Sequence, residues 1–175
     1  LQQIQQLPVQ SRYLLHIAAC LGHQFDLTHL AIAANKTLAD CAAQLWPVLE
    51  TGLILQTSGD CFFEIASLID LNGLEFDLEQ GAQVPKCRFM HDNVLQAAYS
   101  TQDEHQIKQS HLSIGRRLFQ HYRHENRHPY IYGTVKHFNK SRALISGIEE
   151  RLQVAALNEQ AAKKAKQAGA WEAAG

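Results

Sequence analysis

Between Pro8 and Gly52 the chain is cut into three short helical patterns, each with its own start and stop residues. Helices this short are marginal alone in water, so their apolar stripes must share a core. Pro8 suits the first position of the first helix. Val9, Tyr13, Leu14, Ile17, Ala18 and Leu21 recur at helical spacing, and Gly22 is expected to supply a left-handed stop. Residues 23–25 read as a short extended link. Asp26 then caps a helix through Leu27, Leu30, Ala31 and Ala34 that closes near Asn35. Thr37-Leu38-Ala39-Asp40 resembles a capping box with Asp in place of Glu. The helix it opens carries Leu38, Cys41, Leu45, Val48 and Leu49 and ends at Gly52. Pro47 should kink it or tighten its last turn.

The period then changes. Leu53 to Thr57 reads as a strand, Ser58-Gly59-Asp60 as a turn, and Cys61 to Ile65 as a strand pairing back. Residues 66–86 suit an extended polar excursion. Cys87 to Met90 reads as a strand running directly into a helix, His91 to Tyr99. Three helices, a hairpin, a strand and a helix are the order of a winged helix, with an enlarged wing between residues 58 and 86. The remainder reads as all helix. A segment starting at Thr101 carries Ile107, His111, Ile114 and Leu118 to about Tyr122, with Asp103 and Glu104 favourable in its first turn. A polar loop at 123–128 closes at His128-Pro129. A second helix runs from Tyr130 to Ile145 with Ile131, Val135, Phe138 and Leu144 inward. Ser146-Gly147 breaks it. A third helix spans Ile148 to Ala168, Gly169 interrupts it, and Ala170 begins another. Ala155, Ala156, Ala161, Ala162, Ala165 and Ala168 would let neighbouring helices approach closely, the habit of tetratricopeptide-like pairs. The expected fold is therefore mainly α with a small β wing: a winged helix at 1–100, then α-helical, tetratricopeptide-like hairpins at 101–175.

Charge supports that division. Residues 1–100 hold four basic and ten acidic side chains, a net of −6, whereas residues 101–175 hold twelve basic and seven acidic, a net of +5. A winged helix invites the expectation of DNA binding. The third helix, 38–51, would be the reading element, yet it contains Asp40 and Glu50 and no Lys or Arg. Phosphate neutralisation supplies much of the affinity for DNA, so an acidic unit of this kind disfavours nucleic acid as a partner. No apolar run approaches the roughly 18 residues of a membrane span. Four cysteines at 20, 41, 61 and 87 form no Cys-x-x-Cys pair, which points to reduced, mostly buried thiols in a cytoplasmic protein. The chain begins at Leu1 rather than Met and stops within a helical pattern, so a piece of something larger is expected.

Enzymatic chemistry finds no support. There is no Gly-x-x-x-x-Gly-Lys phosphate loop, Gly-x-Ser-x-Gly elbow, His-Glu-x-x-His pair or kinase catalytic loop. His121, His124 and His128 could gather on one helix face, but their surroundings read as a solvated loop, and no metal site is expected. His16 and His111 lie on apolar stripes and read as hydrogen-bonded core histidines. The distinctive stretch is Phe89 to Tyr99. His91 stands where a strand becomes a helix, beside backbone N–H groups, where an imidazole can donate to a phosphate oxygen. Asp92 is expected to cap the helix. The alternative is that both residues only anchor it.

That stretch resembles the Met-His-Asp motif in the winged-helix subdomain of signal-transduction NTPases with numerous domains, the STAND class. More broadly, the chain resembles a region of large bacterial, notably cyanobacterial, signalling proteins. Those join a Ser/Thr kinase-like domain, an AAA-type ATPase, helical repeats, a GAF sensor and a sensor histidine kinase. The resemblance rests on Leu14 to Leu27, Leu45 to Ile54, Phe89 to Tyr99, His111 to Arg116 and Glu150 to Lys166, in that order; the polar insert at 66–86 departs from it. It implies that His91 contacts the β-phosphate of ADP, with Asp92 orienting the helix start. It also implies a non-catalytic coupling segment that relays the nucleotide state of an upstream ATPase to downstream helical and kinase domains of the same chain. ADP or ATP and Mg would then belong to that upstream domain, and no cofactor to this one. Two other functions are weighed against it: a protein–protein scaffold that never meets nucleotide, and a DNA-binding transcription regulator.

Overall fold

The computed structural model describes residues 2–58, 83–123 and 130–172, with side chains as far as residue 169. The protein is mainly helical with one small antiparallel sheet. It divides into two compact units, Leu1–Asp103 and Glu104–Gly175.

The first unit is built around a helix buried on almost every side. A short α1 (Gln2–Gln6), which the sequence pattern did not announce, seats Ile4 in the core. Next comes α2 (Val9–Leu21), which buries Ser11 and every residue from Leu14 to Cys20. Burial all round rather than on one stripe marks the centre of a unit. Pro8 stands just before the helix, not inside it, with φ −52° and ψ 148°. Gly22 ends α2 at φ 135° and ψ −165°. That is a positive φ open to glycine but not the left-handed helical conformation expected, and from it the chain leaves α2 straight into β1 (Gln24–Asp26).

Local capping follows the sequence closely. Asp26 accepts the His29 N–H at 2.6 Å to open α3 (Leu27–Ala34), and Asn35 closes it at φ 56° and ψ 53°. Thr37 Oγ1 accepts the Asp40 N–H at 3.0 Å and donates to Asp40 Oδ2 at 2.7 Å, opening α4 (Leu38–Glu50). Pro47 leaves α4 unbroken to Glu50, and past its end the Gly52 N–H reaches Leu49 O at 2.9 Å.

Among the described residues three strands form the sheet, in the order β1-β3-β2: β2 is Ile54–Ser58 and β3 is Lys86–Phe89. Phe25 lies opposite Cys87, and Ile54 opposite Phe89. The 23–25 link is therefore a paired strand, which the sequence reading missed. The pairing expected for Cys61 to Ile65, and most of the insert, lie outside the described residues. α5 (Asp92–Tyr99) follows β3 and packs on α2.

The second unit contains α6 (Glu104–Tyr122), α7 (Ile131–Lys140), a 3-10 turn (Arg142–Leu144) and α8 (Ile148–Glu172). α7 packs on both α6 and α8. Leu112, Phe138, Ile145 and Leu157 form one buried apolar cluster in this unit. A Cβ at Gly115 would sit 3.4 Å from the Phe138 ring, so the missing side chain is what seats that ring.

Four expectations are corrected here. α6 starts at Glu104, because Thr101 instead closes α5 by donating to Ala98 O at 2.8 Å. α7 stops at Lys140, not Ile145, because the Ser141 hydroxyl donates to the carbonyls of His137 and Phe138. Gly169 does not interrupt α8, which continues to Glu172; one helical glycine costs only about 1 kcal/mol. Of the six alanines expected to admit a neighbouring helix, Ala161 alone is buried. Most of the loop expected at 123–128, with His124 and His128, lies outside the described residues.

Candidate functional site

The corner between β3 and α5 is shaped by backbone bonds on both sides. The Phe89 N–H donates to His23 O at 3.0 Å, and the Met90 N–H donates to Leu53 O at 3.0 Å. These anchor the end of the central strand between its two neighbours. His91 then takes φ −143° and ψ 152° and occupies the N-cap position. Its carbonyl accepts the Val94 N–H at 3.0 Å and the Leu95 N–H at 3.3 Å. Its side chain makes no capping bond and is exposed. The helix dipole and first-turn N–H groups of α5 thus begin at an imidazole facing solvent, a setting that favours an anion.

Asp92 is not the cap. It is the first residue of the helix, where a carboxylate favours the dipole without bonding the first-turn amides. Its Oδ1 lies 3.3 Å from His23 Nδ1, with both side chains substantially exposed. Such an exposed pair adds little to the stability of the whole unit, and what it restrains is local to the first turn of α5. Sequence reasoning missed His23. The one signal for it is structural: β1 pairs with β3, which carries His23 alongside Phe89 and so next to the corner.

Behind the corner lies a second histidine. His16 is buried on α2, with Nδ1 3.3 Å from Ala98 O and Nε2 3.6 Å from Cys20 Sγ. Burial lowers its pKa, while the bond to Ala98 pulls the other way. Tyr99 stacks on the His16 ring with centroids 6.4 Å apart. Burial, then the nearby Cys20, pushes the Tyr99 hydroxyl up. Cys20, Cys41 and Cys87 are buried and form no disulfide. Burial pushes the Cys41 and Cys87 thiols up to about 12.

In the second unit, α6 and α8 flank a groove of about 460 Å³ with Phe119, Phe138, Val154 and Leu157 among its lining residues. Arg116 bridges it, donating from Nε and Nη2 to the two carboxylate oxygens of Glu150 at 2.6 and 2.8 Å. That bond holds the Glu150 carboxyl below its ordinary range. His111 lies buried, as expected, but its partner His137 was not anticipated. Among the described residues no three His, Cys, Asp or Glu side chains are grouped to hold a metal ion, and no helix is long and apolar enough to cross a membrane.

No family model matches the chain. No solved structure matches it. It is similar to hybrid signal transduction histidine kinase G of Dictyostelium discoideum, at 26% identity over 200 aligned positions. The alignment covers 97% of this chain and 6% of that protein, so the chain spans a small fraction of the relative it matches.

Proposed function

We propose that this chain is a non-catalytic coupling segment of a signalling protein, relaying the nucleotide state of an upstream ATPase domain to downstream helical and kinase domains. A signalling role draws support from the similarity to a hybrid signal transduction histidine kinase, along almost all of this chain. The winged-helix reading of residues 1–100 draws support from a helix–strand–helix–helix–strand–strand order and from the strand order β1-β3-β2. The helical-pair reading of 101–175 draws support from the packing of α7 against both α6 and α8. These elements act as a relay if nucleotide biases two arrangements of the longer protein by a few kcal/mol.

The single observation that carries the nucleotide reading is the exposed His91 ring at the start of α5, with no capping bond to occupy it. Asp92 holds the helix start toward His23 and is assigned a positioning role. The nucleotide's main cradle, its Mg and any catalysis belong to the upstream domain. The compartment is the cytoplasm, and neither nucleic acid nor membrane is a partner.

ADP affinity of the full-length protein, with and without His91→Ala, tests this. A clear loss of affinity together with raised basal output is expected. Equal affinity and equal output remove His91 from the site, and a full-length sequence without a nucleotide-binding loop removes the relay.

The scaffold reading is favoured by a different observation. Ile148 and Leu152, one turn apart on α8, are 75% and 65% exposed. Small-angle scattering of the full-length protein, with ADP and with a non-hydrolysable ATP analogue, separates the two. A scaffold keeps one shape, and a relay changes it. A gel shift at low salt tests the DNA-binding alternative, with no shift expected.

A further inference from the structure

α5 is tied at both ends by histidines from one short stretch of chain. At its C-terminal end, His16 Nδ1 lies 3.3 Å from Ala98 O. A carbonyl only accepts, so Nδ1 carries the hydrogen and Nε2 of the neutral ring is left to accept from the Cys20 thiol. Ala98 O also accepts from Thr101 at 2.8 Å, but that bond is local and travels with the helix end. The His16 bond joins α5 to the central helix of the unit. At the N-terminal end, Asp92 meets His23, just beyond the end of α2.

Between these ties apolar burial is partial: Val94, Leu95, Ala97 and Tyr99 are only half-buried. Of the eight residues of α5, Ala98 is the one that is fully buried, whereas α2 buries eight of its thirteen. Elements held by few buried apolar contacts are the ones that open locally while the rest of a unit stays folded.

We propose that α5 is a latch, with His16 and His23 as the positioning residues that keep the His91 corner in place. The proposal rests on the reading of His91 as an outward-facing sensor, and it names how that sensor is regulated. A ligand or partner that pulls on the corner acts on α5 as one body. The latch lets go at His16 and His23 without unfolding α2, α3 or α4.

Amide hydrogen exchange on the 175-residue chain, without nucleotide, tests the latch. In the unaltered chain the α5 amides exchange faster than those of α2 and α4. His16→Leu keeps an apolar body but removes the donor, and should speed α5 exchange about tenfold with α2 and α4 unchanged. His16→Asn, whose amide nitrogen can stand in for Nδ1, should restore the slower rate; a role in packing alone would be rescued by Leu rather than Asn. His23→Ala should speed the first turn of α5. If His16→Leu does not fold, faster exchange in the first turn of α5 in His23→Ala, with α2 and α4 unchanged, supports the latch and unchanged exchange there overturns it. α5 amides as slow as those of α2, acceleration of all helices together, or failure of Asn to rescue also overturn it. No nucleotide enters the measurement, so an inert His91 would leave this result standing.

Discussion

His111 Nδ1 and His137 Nδ1 lie 2.7 Å apart across α6 and α7, and both rings are almost wholly buried. One ring must donate and the other accept, so the two histidines hold opposite hydrogen states at the facing atoms. The bond is a polar fastening in a unit whose apolar core is small.

Replacing one of these rings leaves the facing Nδ1 of the other buried without this bond. His111→Phe and His137→Phe should each cost about 1–3 kcal/mol in urea unfolding of the whole chain. Their combination should cost clearly less than the two added together, since both changes remove the same bond. Strict additivity would show that the bond contributes nothing.

His16 makes the stability of the first unit depend on pH. Its folded pKa is lowered by burial, so the unfolded ring binds protons more readily than the folded one. Its contribution is fully present above the ordinary value of 6.5 and is lost as pH falls below it toward the folded value. The stability advantage of the unaltered chain over His16→Leu should therefore shrink between pH 7.5 and pH 5. Thermal unfolding of both proteins across that range checks it. A constant gap rules out His16 as the titrating group.

One substitution type should act with opposite signs at two glycines. Gly22 has φ 135° with no atom within 4 Å of an added Cβ, so Gly22→Ala suffers from backbone strain alone. It should lose about 1 kcal/mol or more. Gly169 is helical with open space around it, and Gly169→Ala should gain up to about 1 kcal/mol. Denaturation midpoints of the two variants decide it, and equal signs would contradict one of the two backbone assignments.

Cys41 and Cys87 should resist alkylation at pH 8 in the folded chain, because burial shields them and holds both thiols protonated. Iodoacetamide labelling followed by peptide mass analysis should find them modified only after denaturant is added. Rapid labelling without denaturant would contradict the burial of α4 or β3.

The exposed corner shows how far the sequence is readable. A strand running into a helix at His91 was legible from Phe89 to Tyr99, because the apolar period changes there. That Asp92 would stand one place inside the cap was not legible, since His and Asp both fit near a helix start and only the backbone torsions separate them. The early stop of α7 was hidden for a similar reason. Ser141 closes it with its own hydroxyl, while the apolar spacing continues through Leu144 and Ile145.

What the sequence determined by itself is therefore local: the caps at Asp26 and Thr37, the helix end near Asn35, the apolar stripes, and the lack of basic charge on α4. Each depends on residues within a turn of one another. Tertiary structure alone decided that residues 24–26 form an edge strand, that His16 reaches a carbonyl 82 residues away, and that His111 meets a ring 26 residues away. Polar side chains carry no periodic signal for a distant partner. Which imidazole finds a carbonyl, a carboxylate or another imidazole is set only when the apolar faces have packed and brought them within reach.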